Sequence, residues 1–173
     1  MVFPLLVPAI GVIASVVGVL ATRPAKTDAS GMAPINRGFF TSAAVSLVLV
    51  AAASFIYLPS ISDGVDMSVS PQVLGFVSVL IGVVLAATIQ QLTGYFTETS
   101  RKPVKDIGRS SLTGPATVIL SGISLGLESA VYAALLIGGA VYGAFLIGGA
   151  AALYAVALAG CGLLTTAGVI VAM

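Results

Sequence analysis

The sequence predicts an all-α, polytopic transmembrane helical bundle with four complete spans and a nearly complete fifth. Three observations carry that prediction. Of 173 residues, 58% are hydrophobic and only 8% are charged, with a mean hydropathy of +1.16, whereas a soluble domain has about 25% charged residues. The apolar residues are gathered into runs of membrane length, about 20 residues for roughly 30 Å of hydrocarbon. The basic residues collect in the segments between alternate runs, as cytoplasmic loops require.

The first run covers 3–22. Nothing basic precedes it, while Arg23 and Lys26 follow it. That is the reverse of a secretory signal peptide, so the run is expected to remain as a span with its N-terminus outside. The second run covers 39–58 and the third 73–95. Between them the loop 59–72 has no basic residue and carries Asp63 and Asp66, which places it outside. The loops 23–38 and 96–114 hold all seven Lys and Arg residues and are assigned to the cytoplasm, in agreement with the alternation of spans. The fourth helix is expected over 115–147, with Thr113 as its N-cap, Pro115 in its first turn and its most apolar part at 130–147. The fifth run, 151–173, stops at Met173 without a polar tail, and the expectation is that the chain is a piece of a longer protein. No broken helix and no polar pair within a span is expected, which speaks against a solute transporter.

Small residues recur at helical spacing along the spans: Gly11, Ala14, Gly18 and Ala21 on the first, Ser42, Ser46 and Ser54 on the second, Gly75, Ser78, Gly82 and Ala86 on the third. Lipid offers no hydrophobic drive for helix pairing, so close backbone approach at small residues must supply it. The longest such stripe is Gly122, Gly126, Ala130, Ala134 and Gly138, a packing face inside one subunit or a contact between subunits.

Composition excludes several chemistries. No histidine is present, the single Cys161 has no intrachain disulfide partner, and the net charge is +1. Imidazole metal sites, histidine-based triads and a nucleic-acid partner are thereby set aside. No catalytic residue and no metal ligand is assigned. The charges of the 96–114 loop, Arg101, Lys102, Lys105, Asp106 and Arg109, are explained by topology. Glu128 is expected at the membrane interface, because a carboxylate at the centre of a span would cost at least roughly 2.5 to 3.5 kcal/mol. Its role is structural or one of coupling. One function class these features allow is a complete small helical membrane protein, a channel component or assembly partner.

The segments TGYFTETSRKPVKDIG, SLTGPATVILSGISLGLESAVY and GCGLLTTAGVIVAM, with the weaker start VFPLLVPAIGVIAS, resemble the ion-translocating, proton-pumping membrane-bound inorganic pyrophosphatases. The resemblance covers essentially the whole chain. It implies a subunit of about sixteen spans of ordinary length, in which this chain would supply the seventh to tenth spans of an outer ring and most of the eleventh, of the inner ring. It implies pyrophosphate hydrolysis coupled to proton translocation in the cell (plasma) membrane, magnesium as the parent's cofactor, pyrophosphate as its substrate, and a homodimer with the tenth span at or near the contact. The DxxxD-type and DxYGPxxDN-like acidic segments that hold magnesium pyrophosphate in that family are absent from this sequence. The chain is therefore expected to be mostly scaffold, to bind no cofactor itself, to be inactive alone, and to contact lipid and the remaining helices of its parent. The choice between proton and sodium, and any potassium dependence, is not written in these residues.

Overall fold

The computed structural model describes residues 2–22, 32–58 and 70–172. Arg23, Lys26, Asp63 and Asp66, and with them most of the 59–72 loop expected outside, lie outside the described residues. Among the described residues the chain is helical throughout, without strands. In order, the helices are α1 (Phe3–Ala21), α2 (Met32–Tyr57), α3 (Pro71–Thr97), α4 (Lys102–Ser110), α5 (Pro115–Gly148), α6 (Ala152–Leu164) and α7 (Ala167–Ala172). Short 3₁₀ turns join α4 to α5 (Ser111–Thr113) and α5 to α6 (Gly149–Ala151). Four helical stretches are long and apolar enough to cross a membrane, and the chain is an integral membrane protein.

Helix ends differ from run ends for a physical reason. An apolar run marks where hydrocarbon begins, but a helix continues past it wherever polar residues keep the hydrogen-bond ladder, so α2 starts at Met32 rather than at Phe39. The stretch expected as one fifth span is divided at Thr165 and Thr166, which corrects the expectation of unbroken helices. The break is tight, with the Thr165 and Val169 amides bonding three residues back to the Gly162 and Thr166 carbonyls, in 3₁₀ fashion. Both threonine side chains are buried, and the Thr165 hydroxyl donates to the Gly162 carbonyl at 2.7 Å. The break is closed on itself.

The chain forms two compact units, one of Met1–Ala87 with Gly139–Met173 and one of Thr88–Gly138. The first has a core of Phe3, Val7, Ala43, Val50, Val79, Val83 and Leu158, with Cys161 half-buried against it. Its helices meet on their small residues. Gly11, Ala14 and Gly18 of α1, Ser42, Ser46 and Ser54 of α2, and Gly75, Ser78, Gly82 and Ala86 of α3 are all buried. α3 and α6 approach each other closely at two glycines. A Cβ on Gly82 would collide with the Ala159 carbonyl, and one on Gly162 would stand 2.5 Å from the Val79 carbonyl oxygen. Two glycines facing opposite backbones bring the helices to dispersion contact, the main attraction available between helices in lipid.

Hydroxyls in this core bond to backbone rather than to one another. Ser46 donates to the Ala43 carbonyl at 3.0 Å, Ser78 to Leu74 at 2.7 Å and Ser15 to Gly11 at 2.8 Å. Ser54 donates to the Gln72 carbonyl at 2.7 Å while the Gln72 amide donates to the Leu58 carbonyl at 2.7 Å, tying the end of α2 to the start of α3. Ser42 is fully buried and its hydroxyl has no partner among the described residues.

Candidate functional site

The charged part of the chain lies in the second unit, and its local sequence builds a helical hairpin. KPVKDIGRS places Pro103, Val104, Ile107 and Ser110 on one half-buried face of α4 and Lys102, Lys105, Asp106 and Arg109 in the open. Proline in the first turn of α4 loses no hydrogen bond there. This helix was missed in the sequence because nine residues carry little periodic signal, although the i, i+4, i+7 spacing of Pro103, Ile107 and Ser110 was present.

The chain then reverses at Gly114, whose φ of 127° is open to glycine and costly for residues with a Cβ. Gly114, not Thr113, supplies the first carbonyl of α5, which accepts the Val118 amide. Thr113 instead donates its hydroxyl to the Ser110 carbonyl at 2.7 Å, and Thr117 reaches the same carbonyl at 3.0 Å. Pro115 occupies the first position of α5 as expected. These bonds fold α4 back along the first turns of α5.

Between the two helices lies an open groove of about 420 Å³, lined by Pro103, Asp106 and Ile107 of α4 and by Leu120, Ser121, Ser124, Leu125 and Glu128 of α5. It brings Asp106 and Glu128, far apart in sequence, to one place. Two ion pairs flank it. Arg101 Nε stands 3.1 Å from Glu98 Oε2, and Arg109 Nη1 stands 3.9 Å from Asp106 Oδ1. Arg101, Asp106 and Arg109 are more than half exposed at their side chains, so water screens both pairs and each adds little stability. Lys102 and Lys105 are exposed and have no ion-pair partner among the described residues.

Among the described residues the groove presents no formed magnesium site. That ion requires near-octahedral oxygen ligation, in such sites usually through one or two carboxylates together with substrate phosphates. Here one of the two carboxylates faces a guanidinium, and among the described residues no three His, Cys, Asp or Glu side chains gather as a metal group.

The small-residue stripe of α5 is placed differently from those of the first unit. Gly126, Ala130, Ala134 and Gly138 are exposed and Gly122 is half-exposed. Nothing stands within 4 Å of a Cβ built on Gly122, Gly126 or Gly138. Among the described residues these three glycines face open space. An aromatic group closes the hairpin's other end, where Phe96 of α3 lies against Tyr132 of α5 at 6.1 Å between ring centroids and Tyr95 meets Phe96 edge-on at 5.3 Å.

Comparison with known proteins gives this arrangement its context. The chain is 65% identical, over 99% of its length, to a Streptomyces coelicolor protein named K(+)-insensitive pyrophosphate-energized proton pump. It is 39% identical to a protein of the same name from Chloroflexus aurantiacus. In both cases it spans 23% of the relative's length. Against a Mycoplana dimorpha protein named Pyrophosphate-energized proton pump 2, it is 32% identical and covers 82% of that sequence. The family profile described as Inorganic H+ pyrophosphatase matches residues 1–173. A match from first residue to last, on a helical membrane chain, leaves one assignment: the chain belongs to the inorganic H+ pyrophosphatase family.

Proposed function

We propose that this chain forms part of a pyrophosphate-energised proton pump, in which it supplies scaffold helices rather than the hydrolytic centre. The observation that carries the reading is the 65% identity over 99% of the chain to a protein so named, of which the chain spans 23%. The groove between α4 and α5 lacks the ligands for magnesium pyrophosphate. Hydrolysis therefore belongs to other parts of the pump, where magnesium would neutralise the phosphate charge.

On this reading the hairpin of α4 and α5 stands on the cytoplasmic face, the N-terminus lies outside, and the protein resides in the cell membrane. Glu128 then sits at the cytoplasmic interface, paired with water rather than with hydrocarbon. The open stripe Gly122 to Gly138 is covered by a second subunit in a homodimer or by other helices of the parent.

The experiment is pyrophosphate-driven acidification of inverted membrane vesicles containing the full-length pump, followed by quenching of a pH-sensitive dye. Acidification that needs magnesium and proceeds without potassium is the expected result. Pyrophosphate hydrolysis by the isolated 173-residue chain would refute the scaffold role.

A further inference from the structure

We infer that the basic face of α4 is a docking surface for the phosphodiester headgroups of anionic membrane lipids. Four cations, Arg101, Lys102, Lys105 and Arg109, stand at or beside α4 against a single acid within it, and no acidic side chain lies in its first turn. Glu98 and Asp106 partner two of the four. Among the described residues Lys102 and Lys105 have no acidic partner, and they stand three residues apart and therefore on one face, opposite the half-buried Pro103, Val104 and Ile107. The surface is thus amphipathic, with its apolar side against the hairpin and its cationic side free.

The depth of this surface in a membrane follows from the aromatic group below it. Tyr95, Phe96 and Tyr132 cluster at the end of α3, and such rings concentrate at the membrane–water interface. Lys102 follows Phe96 by six residues, of which Thr97 still belongs to α3. The connection can rise at most about 14 Å over its four residues, and a lysine side chain reaches back toward the interface by snorkelling. The headgroup layer, roughly 5 to 8 Å thick on each side, lies within that reach.

A free phosphate or pyrophosphate fits less well. The cations do not converge on a cavity, and the groove beside them is lined by Asp106 and Glu128, which repel a dissolved anion. A charged bilayer surface meets an outward cationic face without entering that groove. The inference rests on the proposed cytoplasmic placement of the hairpin, where anionic lipids lend the leaflet its negative potential.

The test uses the full-length pump and fluorescent phosphatidylglycerol competing with phosphatidylcholine. Two lysines near an anionic surface contribute a preference of roughly tenfold to thirtyfold. The double variant Lys102→Gln/Lys105→Gln is expected to lose most of it, and Lys102→Arg/Lys105→Arg to keep it. An unchanged phosphatidylglycerol preference in the folded Gln variant overturns the proposal. So does a raised KM for pyrophosphate with lipid preference intact, which would assign the lysines to the dissolved anion. In a cysteine-free background, Ser111→Cys labelled by a membrane-impermeant maleimide reports the side on which the hairpin lies. Labelling from outside, together with loss of lipid preference in the Gln variant, would retire the topology and leave the lipid site standing.

Discussion

At Gly82 and Gly162 the side chain is absent because a backbone occupies its place. Substituting valine at Gly82 drives a branched side chain into the Ala159 carbonyl, with backbone on both sides and no flexible neighbour to yield. Overpacking of this kind costs typically 1 to 3 kcal/mol, so Gly82→Val should lower the thermal stability of the detergent-solubilised protein by that amount, read as loss of monodisperse material on heating. The buried hydroxyls give a finer comparison. Ser54→Ala removes a 2.7 Å bond to the Gln72 carbonyl and should cost about 0.5 to 1.5 kcal/mol. Ser42→Ala removes a hydroxyl with no partner among the described residues, and stability should hold or rise slightly, since desolvation of an unpaired group is then avoided. The two variants in one melting series check the assignment, because both delete the same atom from a buried site.

Among the helices, α5 has two faces with opposite circumstances. Where its N-terminal turns meet α4, Thr117 and the Ser110 carbonyl fix the hairpin. At Gly122, Gly126 and Gly138 no described residue stands within 4 Å of where a Cβ would lie. Gly126→Leu should therefore leave the hairpin intact, with unchanged protease resistance between α4 and α5, and act only where another helix lies on the stripe. On the proposed homodimer contact, the readout in the full-length protein is a lower dimer fraction on crosslinking. An unaltered dimer with reduced folded yield would move the contact inside the subunit. Gly114→Ala acts on the other face. Its φ of 127° is strained for alanine by about 1 to 3 kcal/mol, so it should loosen α4, seen as faster amide exchange over 102–113.

For the molecule as a whole, the share of its relatives' length that this chain spans decides what can be expected of it. Spanning 23% of the Streptomyces coelicolor protein, it exposes large apolar side chains such as Ile56 and Leu135 at 84% and 69%, which lipid or further helices must cover. Chelation of magnesium should abolish pyrophosphate-driven acidification by the full-length pump, while exchange of potassium for choline should leave its rate unchanged. Both are checked in the same vesicle assay. A strong potassium requirement would separate this chain from the relatives it matches best in the comparisons above.

What the sequence determined by itself was the class of molecule and its lineage. Membrane-length runs follow from the cost of burying polar backbone in hydrocarbon, and only helices meet that cost from local sequence. The buried faces of the first three spans were legible for the same reason, since small residues recurring at helical spacing share one side of a helix. Tertiary structure decided which stripes are used. Gly82 is filled by a neighbour's backbone while Gly126 faces open space, a distinction that no spacing encodes because it depends on where distant helices lie. It also decided that Asp106 and Glu128 share a groove, because the reversal at Gly114 folds α4 back along α5. And it decided that the last run breaks at Thr165, where 3₁₀ bonds and buried hydroxyls compete locally with a ladder the apolar pattern alone would have continued.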